Sequence, residues 1–124
     1  MSERPSAGAV LSLVDQERPN QYPASRKLEW LRELDGLAYE ELLKTHAAAC
    51  EPPDERYGED TRLLLPFPYA QPLYRAWLFT QIDLSNGDIL RYNQSLALLE
   101  WLWRRCADFL NRASLPRGGD GWRL

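Results

Sequence analysis

The stretch that decides the fold is QIDLSNGDILRYNQSLALLEWLW, residues 81–103. Its apolar residues recur at helical spacing, but the triplet Asn86-Gly87-Asp88 interrupts them. Read in order, Asn86 ends one helix, Gly87 takes the left-handed conformation that closes it, and Asp88 caps the next helix. This order of cap and breaker residues favours an antiparallel αα-hairpin. One long kinked helix remains the alternative, because the apolar spacing continues in phase through the triplet.

Both helices of this hairpin carry an apolar face. The third helix of the chain is predicted to begin near Tyr69, with a face made of Leu73, Tyr74, Trp77, Leu78 and Ile82. The fourth is predicted to run from about Asp88 to Ala113. Its apolar positions alternate steps of three and four, a heptad pattern typical of helices packed side by side: Ile89, Tyr92, Leu96, Leu99, Trp103, Cys106 and Leu110.

Two more helices are predicted before the hairpin. Residues 8–18 form the first, with Val10, Leu13 and Val14 on one face, and Pro19 stops it. Ser25 can cap a second helix that runs to about His46. Its apolar residues step by three or four and form one stripe: Leu28, Leu31, Leu34, Ala38 and Leu42.

The rest of the chain reads as loop or tail. Residues 47–68 are predicted to be a long irregular central loop, and residues 1–7 and 117–124 flexible tails. The leucine run in the loop either folds back over the core or forms an extended piece that pairs with a neighbouring chain. The sequence therefore predicts a single all-α domain, residues 1–124, built as a small bundle of about four helices.

The fourth helix has more apolar surface than one neighbour can cover. Between residues 96 and 103 only Glu100 is polar, and a helix that is apolar all round must be buried all round. The helix is therefore either wrapped by its own chain or partly covered by another subunit, where aromatic anchors are enriched. Under the second alternative we predict a subunit interface made of Leu98, Trp101, Leu102, Trp77, Leu63 and Leu64.

Charge is spread unevenly over the 124 residues, whose net charge is −3. Residues 1–60 hold 13 acidic and 7 basic side chains, whereas residues 61–124 hold 5 acidic and 8 basic ones. Opposite patches of this kind favour head-to-tail contact between copies, and they support nucleic-acid binding only weakly. No apolar run is long enough to span a bilayer, and the start lacks a signal-peptide core, so we expect a soluble protein made in a cytoplasm.

Residues suited to catalysis or metal binding are sparse. The single histidine, His46, has no matched partners, and Cys50 and Cys106 fit neither a disulfide framework nor a zinc site. We interpret Cys106 as a small buried hydrophobic residue and Cys50 as a loop thiol. The acidic residues of the central loop lack calcium-loop spacing. We therefore expect no enzyme, no metal and no cofactor.

An ordered series of short motifs links residues 61–112 to a known family. The series runs through Thr61 before the leucine run, Pro68-Tyr69, Gln81-Ile82-Asp83, Asn86-Gly87-Asp88, Arg91-Tyr92-Asn93 and Asn111-Arg112. It resembles the small head–tail connector, or adaptor, proteins of tailed phages. The first half fits more loosely, through Val14-Asp15, Pro19-Asn20, Trp30-Leu31 and Glu33-Leu34-Asp35-Gly36. The chain departs from the family after Arg112, where Ala113-Ser114-Leu115-Pro116 replaces the usual continuation. It departs also at Leu110, which stands at a position that is aromatic in the family.

The resemblance implies a helical subunit without a catalytic site. Such proteins form a ring beneath the portal and link the filled head to the tail, so the expected partners are copies of the chain itself, the portal, and the next neck or tail-completion protein. Contact with packaged DNA would be at most non-specific, and the location would be the virion neck after synthesis in the host bacterial cytoplasm. We assign docking onto a partner to the tail residues Arg112, Arg117, Trp122 and Arg123. The alternative function is a non-viral helical adaptor that holds a peptide with a tetratricopeptide-like hairpin.

Overall fold

The computed structural model describes residues 4–43, 51–65 and 70–113, and its regular elements there are all helical. The helices are α1 (Ala7–Glu17), α2 (Ala24–Ala38), α3 (Ala70–Asn86) and α4 (Ile89–Ala113). A five-residue π-helix, Tyr39–Leu43, continues α2. Within the described ranges there is no strand, only one isolated antiparallel bridge between Ser6 and Arg62. The predicted small all-α bundle is thus confirmed.

The hairpin between α3 and α4 is also confirmed, and the continuous kinked helix is wrong. Gly87 has a φ of +74°, the left-handed conformation that ends α3. Its N–H donates to the Leu84 carbonyl at 3.1 Å, and the Asp88 N–H donates to the Asp83 carbonyl at 3.0 Å, which together make a Schellman motif. Asp88 Oδ1 then accepts from the Arg91 N–H at 3.1 Å and caps α4.

The first two helices follow their patterns with small changes. In α1, Ser6 Oγ accepts from the Ala9 N–H at 3.2 Å, so Ser6 is the N-cap. Within residues 1–7, which were predicted to be a flexible tail, Pro5 is buried, and its carbonyl accepts from the Leu63 N–H at 2.9 Å. Ser25 is not the cap of α2, because that helix begins after Pro23 without a side-chain cap. His46 and Cys50 lie outside the described residues.

The central loop closes the core from outside the helices. Leu63 and Leu65 are fully buried among helix residues, so the leucine run folds back over the chain's own core. Backbone bonds tie the loop to the start of α1, with the Ala7 N–H donating to the Thr61 carbonyl at 2.8 Å. Residues 57–65 thus form a fourth side of the hydrophobic core, beside α1, α2 and α3.

The central helix of the bundle is α3, and α4 lies at one edge. α3 packs against α1, α2 and α4, whereas α4 makes its extensive contacts with α3. Most of the predicted heptad seam faces α3: Leu99, Cys106 and Leu110 are buried, and burial raises the pKa of the Cys106 thiol to about 11. Ile89 is an exception, because at the hairpin end no described element covers it and it is largely exposed. An edge position leaves the outer flank of this apolar helix without a packing partner among the described elements.

Candidate interaction surfaces

The outer flank of α4 carries an exposed apolar strip. Leu98 and Trp101 lie one turn apart, and their exposed fractions are 44% and 51%. The Arg105 guanidinium stacks on the Trp101 ring, with its central carbon 5.1 Å from the ring centroid. We call Leu98, Trp101 and Arg105 the α4 strip. Singly exposed apolar side chains are ordinary, whereas adjacent ones form a patch of the kind that marks an interaction site. Leu98 and Trp101 are adjacent, so the strip is a candidate interaction site.

The opposite flank of α4 forms one wall of a groove. Both α2 and α4 pack on α3, and the space between them is about 450 Å³. The Trp77 indole N–H donates to the Trp30 carbonyl at 2.6 Å, which fixes the ring in this space. We call this space the α2–α4 groove, and its lining is mostly apolar with three charged residues: Leu34, Leu37, Glu41, Trp77, Leu99, Glu100, Trp103 and Arg104.

A third apolar surface surrounds the hairpin turn. Leu84 at the end of α3 is 53% exposed, and Ile89 and Leu90 at the start of α4 are 67% and 70% exposed. We call these three residues the hairpin tip. They flank Asn86, whose side-chain oxygen accepts from the Tyr22 hydroxyl at 2.6 Å and so ties the turn to the segment between α1 and α2. This hydrogen bond therefore anchors the hairpin tip to the rest of the domain.

The structure distributes the predicted interface residues between surface and core. Leu98 and Trp101 are exposed together on one flank. Leu102 and Leu63 are core residues instead, because α3 and the folded-back loop cover them; they leave almost no surface for another subunit. Trp77 and Leu64 are half-buried, Trp77 in the groove and Leu64 at the edge of the core. In the predicted docking tail, Arg112 is exposed near the end of α4, whereas Arg117, Trp122 and Arg123 lie outside the described residues.

A buried carboxylate connects α2, the central loop and α3. Asp35 is fully buried and accepts hydrogen bonds from the Tyr74 hydroxyl, from the Tyr57 hydroxyl at 2.5 Å and from the Leu64 N–H at 3.2 Å. The Tyr74 hydroxyl in turn accepts from the Leu65 N–H at 3.0 Å. Burial raises the pKa of Asp35 to about 6, although the donors from Tyr57 and Tyr74 act in the opposite direction.

This Asp35 cluster stabilises the fold and offers no open reaction site. A carboxyl with a raised pKa in a cleft would be a candidate acid or base. Here the carboxylate is closed off from solvent, and it is not among the residues that line the groove. Its hydrogen bonds go to loop backbone and to two tyrosines, so the geometry indicates that Asp35 holds the central loop against the core.

A second buried carboxylate fixes the hairpin to α1. Asp83 is 2% exposed, accepts from Arg18 Nη1 at 2.6 Å and 2.8 Å, and accepts from Ser95 Oγ at 2.7 Å. The Arg18 guanidinium also lies over the Phe79 ring, 4.2 Å from its centroid. These contacts join the end of α1, the end of α3 and the start of α4, so they set the direction in which the hairpin tip points.

The sequence did not reveal the hairpin tip as an exposed apolar surface. It also did not reveal that the buried carboxylates of Asp35 and Asp83 hold the central loop and the hairpin in place. A usable signal existed for Asp35, which occupies a position on the buried face of α2 together with Leu31, Leu34 and Ala38. A polar residue in such a register must find buried partners. For the tip, the pairing of Ile89 with Leu90 beside a turn was visible, but their exposure depends on which neighbours cover the turn.

The described residues contain no group of three or more His, Cys, Asp or Glu side chains placed to hold a metal ion. Among the helices in the same ranges, none has the length and hydropathy to cross a bilayer. Comparison with known proteins gives no match, whether to a protein family, to a curated protein or to a solved structure.

Proposed function

We propose that this chain is a structural subunit of the neck of a tailed phage, where copies form a ring that joins the portal of the DNA-filled head to the tail. In this role the chain has no catalytic task. It resides in the virion after synthesis in the host cytoplasm, and its contact with packaged DNA is at most non-specific. The resemblance of residues 61–112 to head–tail connectors supports the proposal.

The observation that carries the proposal is the exposed α4 strip. Leu98 and Trp101 keep about half of their surface in solvent although they belong to the most apolar stretch of the chain. Burying them in a second subunit would remove apolar area from water at roughly 25 cal/mol per Å². A subunit that is completed by copies of itself has a physical reason for such a flank, and head-to-tail contacts that close make rings.

A neck subunit also needs surfaces that face the neighbouring rings. The hairpin tip meets this need, because Leu84, Ile89 and Leu90 lie at one end of α3 and α4 rather than on their sides. We assign the tip to one ring-to-ring contact. The tail after α4, including Arg117, Trp122 and Arg123, is assigned to docking on the portal or on the next neck or tail-completion protein.

The groove favours a second candidate function. An apolar groove of about 450 Å³ with charged residues on its rim is of a size that binds a short peptide or a helix. A non-viral peptide-binding adaptor or regulator with a tetratricopeptide-like hairpin would use it in this way. That function would give no reason for the apolar strip on the opposite flank, so we prefer the ring subunit.

The test combines the purified chain with the portal ring encoded in the same genome and images the mixture by electron microscopy. We expect a second ring of density on the portal. The change Trp101→Glu should prevent this ring from forming, whereas Ser12→Glu adds the same charge at an exposed position of α1 and should leave it intact. A chain that leaves the portal unchanged at high concentration, and that captures a peptide in its groove, would instead establish the adaptor function.

A further inference from the structure

The α4 strip and the α2–α4 groove lie on nearly opposite flanks of one helix. With about 100° per residue, the α4 residues of the strip and those of the groove are centred about 160° apart around the axis. The centres of the two sets differ by about 0.2 residue, or about 0.3 Å, along the axis. Two different apolar surfaces thus face in nearly opposite directions at the same height.

This placement determines the kind of assembly that the surfaces can make. A surface that meets a different surface on the next copy makes a heterologous contact, which generates a closed ring or an open filament. A pairing with a large offset along the axis would climb from copy to copy. The strip and the groove have almost no offset along α4, so their pairing suits a flat ring.

Charge and aromatic character both favour a second copy as the occupant of the groove. Glu41 and Glu100 lie on the groove rim, whereas the flank of the strip carries Arg105 and, two turns further on, Arg112. Arg104 on the rim, and Asp108 exposed on the flank of the strip between Arg105 and Arg112, reduce this contrast without reversing it. The Trp101 ring supplies a large rigid anchor, and the groove offers aromatic walls from Trp77 and Trp103.

We infer that the α4 strip of one copy fills the α2–α4 groove of the next copy. The inference rests on the proposed ring function and specifies which two surfaces meet. Trp101 enters between α2 and α4 of the neighbour and packs on Leu37, Trp77 and Trp103. A stable interface buries about 800 Å² per partner, so strip and groove form its apolar centre and the surrounding polar residues its rim.

A pair of complementary variants tests this contact. Trp101→Glu disables the strip and keeps the groove, and Leu37→Glu disables the groove and keeps the strip. Both positions are about half exposed, so each variant should fold. Assembly is followed by glutaraldehyde fixation and denaturing electrophoresis, for the chain alone and for the chain on the portal ring. Ser12→Glu serves as the full-length control. Trp122→Ala, in the segment assigned to docking, is compared with it for the chain alone.

We expect the wild-type chain and Ser12→Glu to give a ladder of multimers, and Trp122→Ala to match them for the chain alone. Each strip or groove variant alone should weaken self-association at least about tenfold and lose the ladder. An equal mixture of the two variants should restore dimers and nothing larger, because only one intact strip and one intact groove remain to meet. This halt at the dimer is specific to a heterologous contact.

Other outcomes would overturn the inference. Dimers of Leu37→Glu by itself would mean that two strips pair with each other. A wild-type ladder without the portal that is lost in Trp122→Ala would mean that the C-terminal segment, and not the strip, fills the groove. A wild-type ladder with no dimers in the mixture would refute the strip–groove contact and leave the ring function standing. A wild-type chain that is monomeric both alone and with the portal would refute the ring function itself.

Discussion

Replacing Tyr74 with Phe is the sharpest test of how the core is held together. The change removes one hydroxyl that is fully buried and that connects two groups at once. It deprives Asp35 of one hydrogen-bond donor, and it deprives the Leu65 N–H of its acceptor at 3.0 Å. The ring itself keeps its place, so cavity formation contributes little.

The expected cost follows from these two losses. A hydrogen bond to a charged group contributes about 1.5–3 kcal/mol, and a buried N–H left without an acceptor costs about 1–3 kcal/mol. The loss of a hydroxyl that no longer needs to be desolvated offsets part of this. We expect Tyr74→Phe to lower the free energy of unfolding by about 2–4 kcal/mol. Tyr57→Phe is the matched control: it removes a single hydrogen bond to Asp35 from a partly exposed ring and leaves no buried N–H without an acceptor. Its cost should be about 1 kcal/mol.

The assay is urea unfolding followed by tryptophan fluorescence at pH 7.5 and at pH 5. The cost of Tyr74→Phe should be larger at pH 7.5, because the carboxylate is charged there and needs its donors most; at pH 5, below the pKa of about 6, it is mostly protonated. If Tyr74→Phe costs no more than Tyr57→Phe, or if its cost is the same at both pH values, the hydrogen bonds around Asp35 do not hold the core in this way.

Three further predictions concern stability. Burial raises the pKa of Asp35 from 3.8 to about 6, so between these pH values the folded state holds a proton that the unfolded chain releases. The resulting contribution to the free energy of unfolding is present below about pH 4 and is lost as the pH rises to about 6. The free energy of unfolding of the wild type relative to Asp35→Asn should therefore fall by up to about 3 kcal/mol between pH 4 and pH 7 in urea titrations, and a constant difference would contradict this. An added Cβ meets nothing within 4 Å at Gly87 or at Gly36, so the backbone conformation decides the effect of each change to Ala. Gly87→Ala should destabilise the fold by about 1 kcal/mol because the φ of Gly87 is +74°, whereas Gly36→Ala within α2 should stabilise it by about 0.5–1 kcal/mol. Thermal melts that shift in the same direction for both variants would contradict this. Arg18→Met should cost about 2 kcal/mol in urea unfolding because Asp83 is left buried with one hydroxyl partner, and a neutral result would show that the ion pair does not hold the hairpin.

Local sequence signals predicted the helices and the hairpin because those features depend on near neighbours. The Asn86-Gly87-Asp88 order carries its own capping and breaking chemistry, and the structure uses each residue as that chemistry requires. The apolar stripe of α2 likewise needed nothing beyond residues three and four apart. Even the excess of apolar surface on α4 could be read from the composition of residues 96–103, where only Glu100 is polar.

The allocation of that surface could not be predicted, because it depends on which helix lies in the middle. Leu98 and Leu102 are equally apolar and four residues apart, yet α3 covers only Leu102. From the sequence alone, Leu63 could equally be an interface residue, because its burial depends on the loop folding back on Asp35. The groove arises from the packing of α2 and α4 on a shared neighbour, and no single segment encodes it.

The central claim is that the chain leaves a flank of α4 uncovered because another copy covers it. Sedimentation velocity of the wild type and of Trp101→Glu, over a range of concentrations with and without the portal ring, measures this most directly. We expect the wild type to form multimers in at least one of these settings and Trp101→Glu to stay monomeric in both. Wild type and variant sedimenting alike as monomers throughout would contradict it.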